Sequence, residues 1–314
     1  MLVFAPGESA GFRESMGEAL GIELAPLEER LFEDGEHKIR PLVDVRHQDV
    51  YIVARLAGSA NDGVNDRLMR VLLLVATLRD AGAARVTVVA PYLPYARKDR
   101  RTKPQDPLTL RYLAALFEAM GTARMVVLDV HNVAAFENAF RCETVHLEAR
   151  HAFAQKLAEL PSALPLAVVS PDTGGVKRAE LFRAAVEEAT GQTSHLVFME
   201  KHRTDDHVTG DAVVGRLDGC RAVIVDDLIA GGTTMARAAE ACRQGGAAEV
   251  VAVASHGLFA GGAGSLLGPS LVDRLWVTNS VESSLLEQPP EHLQIIPVEP
   301  LLACAIKALR APCD

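Results

Sequence analysis

The chain has 314 residues, 49% of them apolar, with a formal net charge of −9. At roughly 150 residues per domain this length suggests two domains, and the acidity argues against a general nucleic-acid binder, which would carry a basic face. No apolar run approaches the roughly 20 residues needed to cross a bilayer, and the start MLVFAPGES lacks the basic and long apolar segments of a signal peptide.

In chain order, Leu2–Ala5 reads as a short strand, and Ser9 is placed to cap a helix running to Leu20. Next comes Arg30–His37, in which Phe32 is followed by three acids around Gly35; taken alone this is a turn with solvated charges. Val50–Ala54 reads as a strand. Asn61 can cap a helix whose apolar positions Val64, Leu68, Val71, Leu72, Val75 and Leu78 keep helical spacing up to Gly82. Val86–Ala90 is a second strand of the buried parallel type, and it runs into Pro91–Lys103. There Arg97, Lys98, Arg100, Arg101 and Lys103 concentrate cations on an acidic protein. The segment is either a solvated loop or an anion site, since ligands of open α/β sheets gather at strand carboxyl ends.

Leu108–Met120 has helical spacing, and Met125–Asp129 is a strand ending in Asp129-Val-His131. A lone histidine is most often structural, but an acid two residues before it at a strand tip also suits a metal or phosphate contact. A helix is expected over Leu147–Leu160. The strand Leu166–Ser170 then leads into Pro171-Asp-Thr-Gly-Gly-Val-Lys-Arg178, a strand–acid–glycine–helix junction. Leu196–Met199 passes into Glu200-Lys-His-Arg203 and a polar segment of no strong period. Strands at Val250–Ala254, Val272–Val277 and Leu293–Pro297 follow, and Pro300–Leu309 is a terminal helix. The cysteines Cys142, Cys220, Cys242, Cys304 and Cys313 are scattered, without CxxC spacing, as expected of reduced thiols in a cytoplasm.

The most informative stretch is Arg221–Met235, RAVIVDDLIAGGTTM. A β-branched apolar run ends in Asp226–Asp227, and Gly231–Gly232 and Thr233–Thr234 precede an Ala-rich helix. Such a junction aims unpaired backbone N–H groups at one spot, with glycines admitting a ligand close to the backbone. Phosphate suits those donors, and the two acids suit ribose hydroxyls or a metal. The blander reading is a Gly-Gly turn with a threonine helix cap. Alternating strands and helices in two halves argue for parallel α/β sheets, with a boundary near Glu143–Glu148.

This stretch resembles the ribose-phosphate loop of the type I phosphoribosyltransferase fold, except that threonine and glycine have exchanged places and Ala230 stands where an acid is common. Taken together, the segments from Arg30 onward resemble the ribose-phosphate diphosphokinase (phosphoribosyl pyrophosphate synthetase) family. The resemblance implies two phosphoribosyltransferase-like domains, each a mostly parallel sheet flanked by helices. These would be an N-terminal ATP-side domain (1–146), a ribose 5-phosphate-side domain (147–298) and a terminal helix (299–314) packing back on the first.

The family's residue roles carry over by motif. Phe32, Asp34, Gly35 and Glu36 match the turn that contacts adenine and ribose of ATP. Arg97 and Lys98 match the segment that grips ATP, with lysine in place of the usual glutamine. Asp129 and His131 match the Asp-Leu-His magnesium motif, and Asp172 is the second metal-linked acid. Lys201 and Arg203 match the Lys-x-Arg pair of the mobile catalytic segment. Arg203, Asp226, Asp227 and Ala230–Thr234 fall on the ribose 5-phosphate site. The run Asn132–Phe140 departs from the family's Gln-rich pattern, in a region that helps form regulatory sites. The implied reaction moves pyrophosphate from ATP to the anomeric hydroxyl of ribose 5-phosphate, with Mg2+ as cofactor. The implied state is a cytoplasmic homo-oligomer, dimer or hexamer, with neither nucleic acid nor membrane as partner. Two alternatives stand beside it: a phosphoribosyltransferase, which needs one catalytic domain and no Phe32–Glu36 turn, and a catalytically silent regulatory paralogue.

Overall fold

The computed structural model describes residues 1–310 except 60, 61, 161, 205, 206, 264–267 and 283–287, with backbone alone for the rest of 200–212 and for 262. The chain divides into two compact units. The first takes in Met1–Leu147, Ser280–Glu282 and the segment from Pro297; the second takes in Glu148–Asn279 and the segment up to Ile296.

The first unit is built on a five-stranded sheet made of β1 (Leu2–Phe4), β4 (Asp49–Val53), β5 (Arg85–Ala90), β6 (Arg124–Leu128) and β7 (Glu143–Leu147), in that spatial order and all parallel. Apart from the edge strand β7, its strands are near-continuous apolar runs because parallel sheets are buried on both faces. Val50, Ile52, Val86, Val88, Met125 and Val127 pack in one cluster with the apolar stripes of α2 (Val64–Asp80) and α3 (Thr109–Met120). The alternate residues Val3, Tyr51, Val53, Val89 and Val126 are equally buried. Helix α1 (Ala10–Leu20) is capped by Ser9, whose Oγ accepts from the Phe12 N–H at 3.3 Å, and it ends at Gly21 in the left-handed region. It packs against the last helix, α8 (Glu299–Arg310).

Three features of this unit differ from the sequence reading. The Arg30–His37 turn is the tip of an antiparallel hairpin, β2 (Leu27–Leu31) with β3 (His37–Pro41), whose strands are mostly charged and exposed. Helix α2 begins at Val64, with Gly63 at its N-cap donating its N–H to Asp66 at 2.9 Å; Asn61, the expected cap, lies outside the described residues. The departing run after His131 forms a short helix, α4 (Val133–Ala139), and where the expected Leu147–Leu160 helix would begin the unit ends in strand β7, the helix itself being α5 (Arg150–Ala158) of the second unit.

The second unit carries a seven-stranded sheet in the order β10-β9-β8-β11-β12-β13-β14. Its strands are β8 (Leu166–Ser170), β9 (Ser194–Thr204), β10 (His207–Val214), β11 (Arg221–Ile229), β12 (Glu249–Gly257), β13 (Arg274–Thr278) and β14 (Leu293–Ile296). All pairings are parallel except β10 on β9, where a register shift falls between Val208 and Asp211. The polar segment after Arg203, which carries no sequence period, is therefore largely the returning arm of a hairpin at the sheet edge. Helices α5, α6 (Val176–Thr190) and α7 (Thr233–Gln244) belong to the unit, α5 packing on α6 and Met235, Ala238, Ala239 and Cys242 of α7 buried on the sheet. The architecture is that of two α/β domains, each a mostly parallel sheet flanked by helices. No described helix is long and apolar enough to cross a membrane.

Candidate active site

In the first unit the candidate residues gather on the hairpin tip and beyond two adjacent strand ends. At the tip, the Phe32 N–H donates to the Glu36 carbonyl at 2.9 Å and the Gly35 N–H to the Phe32 carbonyl at 3.0 Å. The Asp34 carboxylate accepts from the Glu36 N–H at 3.1 Å. Gly35 has φ +91°, a region closed to most side chains, so the glycine is what lets this tight turn form. The Arg30 guanidinium lies 4.7 Å from the centre of the half-exposed Phe32 ring, leaving an aromatic with one cationic neighbour at the tip.

Beyond β5, Tyr95 turns the chain with φ +62° and donates its hydroxyl to Asn65 Oδ1 at 2.7 Å. Arg97 and Lys98 follow, both exposed. The rest of the cationic loop is tied by Asp106, whose Oδ2 accepts from the Thr102 N–H, the Thr102 hydroxyl and the Lys103 N–H at 2.7–3.0 Å. Those bonds hold the Asp106 carboxyl below its ordinary range, the Thr102 hydroxyl contributing most.

Beyond β6, Asp129 has φ +38°, a left-handed conformation that a non-glycine residue adopts at a cost and that recurs at functional sites. Its N–H donates to the Leu147 carbonyl at 2.9 Å, which pins the strand tip to β7, and the next residue, Val130, donates to His146 Nε2 at 3.2 Å. His131 is exposed. Asn132 accepts from the Ala135 N–H as cap of α4 and donates to Asp99 Oδ2 at 2.7 Å. One amide thus ties the Asp129–His131 tip to the Arg97–Lys103 loop, a link that the sequence reading missed.

In the second unit, Asp172 follows β8. Its Oδ1 accepts from the Gly175 N–H at 2.9 Å, and the Ser170 hydroxyl donates to its carbonyl at 2.7 Å. Among the described residues, no group of three or more His, Cys, Asp or Glu side chains could hold a metal ion. Isolated acids fit magnesium, which usually takes one or two carboxylates and completes its shell with water and substrate phosphates.

Asp226 and Asp227 lie within β11, which runs on to Ile229, past the strand end expected from sequence. Asp226 Oδ1 accepts from the Asp227 N–H at 2.8 Å. Burial, followed by the adjacent Asp227 carboxylate, pushes the Asp226 carboxyl up to about 7, while Arg178 pulls the other way. Arg178, at the start of α6, is 2.8 Å from Asp226 Oδ1 and 3.0 Å from Asp227 Oδ1. The sequence reading did not single out this arginine.

After Ala230 the loop turns at Gly232, φ +76°, and α7 starts at Thr233. A Cβ on Gly232 would stand 3.0 Å from Ala263 Cβ and 3.2 Å from the Ala263 carbonyl, so this glycine is required twice over. Gly231, by contrast, has open space around it, and Thr233 sits in ordinary helical geometry. The exchange of glycine and threonine in this loop therefore spares the one position where glycine is indispensable. Gly231, Thr233 and Thr234 are exposed at the helix start, where backbone N–H groups lack helical partners. Lys201 and Arg203 lie on β9, their backbones opposite Asp211 and Val208 of β10; their side chains fall outside the described part of the structure.

Two parallel α/β sheets, one with paired acids beside a glycine-turned helix start, define a protein of the type I phosphoribosyltransferase fold. Residues 1–121 match the N-terminal domain of ribose phosphate pyrophosphokinase, and residues 186–311 match the phosphoribosyl synthetase-associated domain. Ribose-phosphate pyrophosphokinase of Ureaplasma parvum is 32% identical over 312 residues, 98% of this chain and 90% of that one. The enzyme of the same name from Hyphomonas neptunium is 29% identical over 297 residues, 94% and 92% of the two chains. The fold superposes on the crystal structure of phosphoribosylpyrophosphate synthetase from Mycobacterium smegmatis with a TM-score of 0.87, at 27% identity and 98% coverage of each chain. The chain belongs to the ribose-phosphate pyrophosphokinase family.

Proposed function

We propose that the protein transfers pyrophosphate from ATP to the anomeric hydroxyl of ribose 5-phosphate, giving phosphoribosyl pyrophosphate and AMP. The observation that carries this is the junction in the second unit, where paired diol-accepting carboxylates stand on the strand that leads into a phosphate-accepting helix start. Asp226 and Asp227 accept hydrogen bonds from the sugar hydroxyls, and Gly231–Thr234 bind the 5-phosphate at the start of α7. ATP is the ligand of the first unit. Phe32 supplies an aromatic face for the base, Asp34 and Glu36 supply acceptors, and Arg97 and Lys98 neutralise phosphates.

Attack of a sugar hydroxyl on the β-phosphate needs charge neutralisation and alignment rather than a covalent intermediate on the protein. Lys201 and Arg203 stabilise charge developing on the transferring group. Asp129 and His131 of the first unit, and separately Asp172 of the second, are residues that would contact Mg2+, which when bound polarises phosphoryl oxygens.

Phosphorus NMR of the purified chain with Mg2+, ATP and ribose 5-phosphate should show a new diphosphate ester together with AMP. Silence across several nucleotides and divalent metals would favour a regulatory paralogue.

A second measurement addresses the loop itself. Thr234→Val keeps the shape and removes one hydroxyl, and a hydrogen bond to a charged group contributes about 1.5–3 kcal/mol. Ribose 5-phosphate affinity should fall by about ten- to a hundredfold, with ATP affinity nearly unchanged, when each substrate is titrated calorimetrically. Loss of ATP affinity instead would mean that the two ligands have been assigned to the wrong halves.

A further inference from the structure

Two carboxylates side by side can take either of two guests, a vicinal diol or a divalent cation, and the surroundings must decide between them. Here the guanidinium of Arg178 lies across the pair, with Nη1 2.8 Å from Asp226 Oδ1 and Nη2 3.0 Å from Asp227 Oδ1. The arrangement is shielded: the Asp227 side chain is 7% exposed, Asp226 21% and Arg178 27%. It is also built by the backbone. Arg178 stands three residues after Gly175, where a Cβ would come within 2.7 Å of Ser170 Oγ and 3.7 Å of Arg178 Nη1. Glycine at that position leaves room for the Ser170 hydroxyl at the turn into α6, and the guanidinium lies at ordinary contact distance from it.

A fixed positive charge in contact with both acids repels any cation that would bridge them, because opposed and like charges at contact distance are weakly screened where water is scarce. A neutral diol meets no such repulsion. It still finds acceptors, because a carboxylate has about four lone-pair sites and Arg178 engages Oδ1 of each acid. The upward shift of the Asp226 carboxyl works in the same sense, since a protonated acid is a poor cation ligand but still bonds a hydroxyl.

We propose that Arg178 is the specificity-determining residue of this site: by bridging Asp226 and Asp227 it reserves the pair for the vicinal diol of a sugar phosphate and keeps divalent cations off it. The identity of the diol rests on the ribose 5-phosphate reading above; the exclusion of the cation does not.

Mn2+ is the probe, counted by electron paramagnetic resonance on the whole chain without nucleotide. In the parent protein, Asp226→Asn should leave the number of bound Mn2+ ions unchanged. Arg178→Met, and independently Arg178→Gln, should gain one ion with a Kd of about 10⁻⁴–10⁻³ M, the range of weakly held oxygen-liganded cations. Arg178→Lys keeps a positive charge and should gain none, and adding Asp226→Asn to Arg178→Met should abolish the new site. Loss of a bound ion on Asp226→Asn in the parent background would overturn the proposal, and that arm needs no arginine variant. So would absence of the extra ion in Arg178→Met or Arg178→Gln protein whose melting transition remains cooperative. Metal-free calorimetry should show ribose 5-phosphate binding weakened about tenfold in Arg178→Met, as carboxylates released from the guanidinium lose their fixed orientation. A parent protein that binds no ribose 5-phosphate would refute the substrate reading, while the Mn2+ counts would still decide the role of Arg178.

Discussion

Replacing Lys201 with alanine should lower turnover by about 10²–10³, the usual cost of losing one donor aimed at transition-state charge, while the melting temperature and both substrate affinities stay close to those of the parent. Lys201 lies on β9 where it pairs with β10, the antiparallel arm at the edge of the second unit's sheet. The buried core of that unit draws on residues of β8, β11, β12, β13, β14 and α7 together with Val197 and Met199 earlier on β9. Single-turnover measurements at saturating substrates separate the chemical step from binding. Parallel losses of melting temperature and turnover would make Lys201 a structural residue and remove it from the proposed mechanism.

The largest stability effect is expected at Arg55 in the first unit. Its side chain is 7% exposed and bonds the Glu8 carboxylate, itself 1% exposed, through Nε at 2.7 Å and Nη2 at 2.6 Å. The Arg55 N–H adds a bond to the same acid at 2.6 Å. Nη2 also lies 2.6 Å from Glu282, which is shared with Arg67, and the guanidinium stands 4.2 Å above the ring of Phe12. Removing one partner of a buried ion pair leaves the other charge uncompensated, so Arg55→Met should cost about 3–5 kcal/mol in urea unfolding.

The pH dependence of that loss has a definite sign. Burial already raises the Glu8 carboxyl, with Arg55 pulling against it, so removing Arg55 raises it further. A carboxyl whose folded-state value lies above its unfolded value stabilises the fold below the unfolded value, and that stability is lost as pH rises through the folded value. The deficit of the variant relative to the parent should therefore shrink on acidification. A deficit that stays constant between neutral and mildly acidic pH would show that Glu8 finds another partner.

The parts of the fold that were legible in the sequence are those whose physics is local. Strands β5, β6, β8 and β11 announce themselves as β-branched runs because burial on both faces removes polar residues from them. Helix α2 shows its stripe because one face meets the core. Hairpin β2–β3 gave no such signal: Leu27–Leu31 and His37–Pro41 are mostly charged, and Ile39 is their one buried residue, with Leu27 packed beside the same core, so the apolar alternation is too short to read. The arm β10 was hidden for a related reason, its polar composition and shifted register.

Site geometry divided in the same way. A glycine that must turn the chain, such as Gly232, is visible as a residue type, though its φ and its contact with Ala263 are not. Ion pairs and hydrogen bonds between residues far apart in sequence are invisible until the chain is folded. Asp99 with Asn132 and Arg178 with Asp226 are 33 and 48 residues apart. Nothing in the composition of either partner's neighbourhood points to the other.

The return of α8 to the first unit also bears on how the protein is made. Leu302, Ala303 and Ile306 of α8 are buried, α8 packs beside α1, and Lys307 donates to the Ala19 carbonyl at 2.9 Å. All of the chain that builds the second unit's sheet leaves the ribosome before α8 does. Domains of a nascent chain generally mature from the N-terminus onward, but here the order is inverted. The unit begun first remains missing a helix, with the apolar side of α1 uncovered, throughout synthesis of the unit begun second. During that interval the nascent chain presents a sticky, half-finished surface, the kind that chaperones hold.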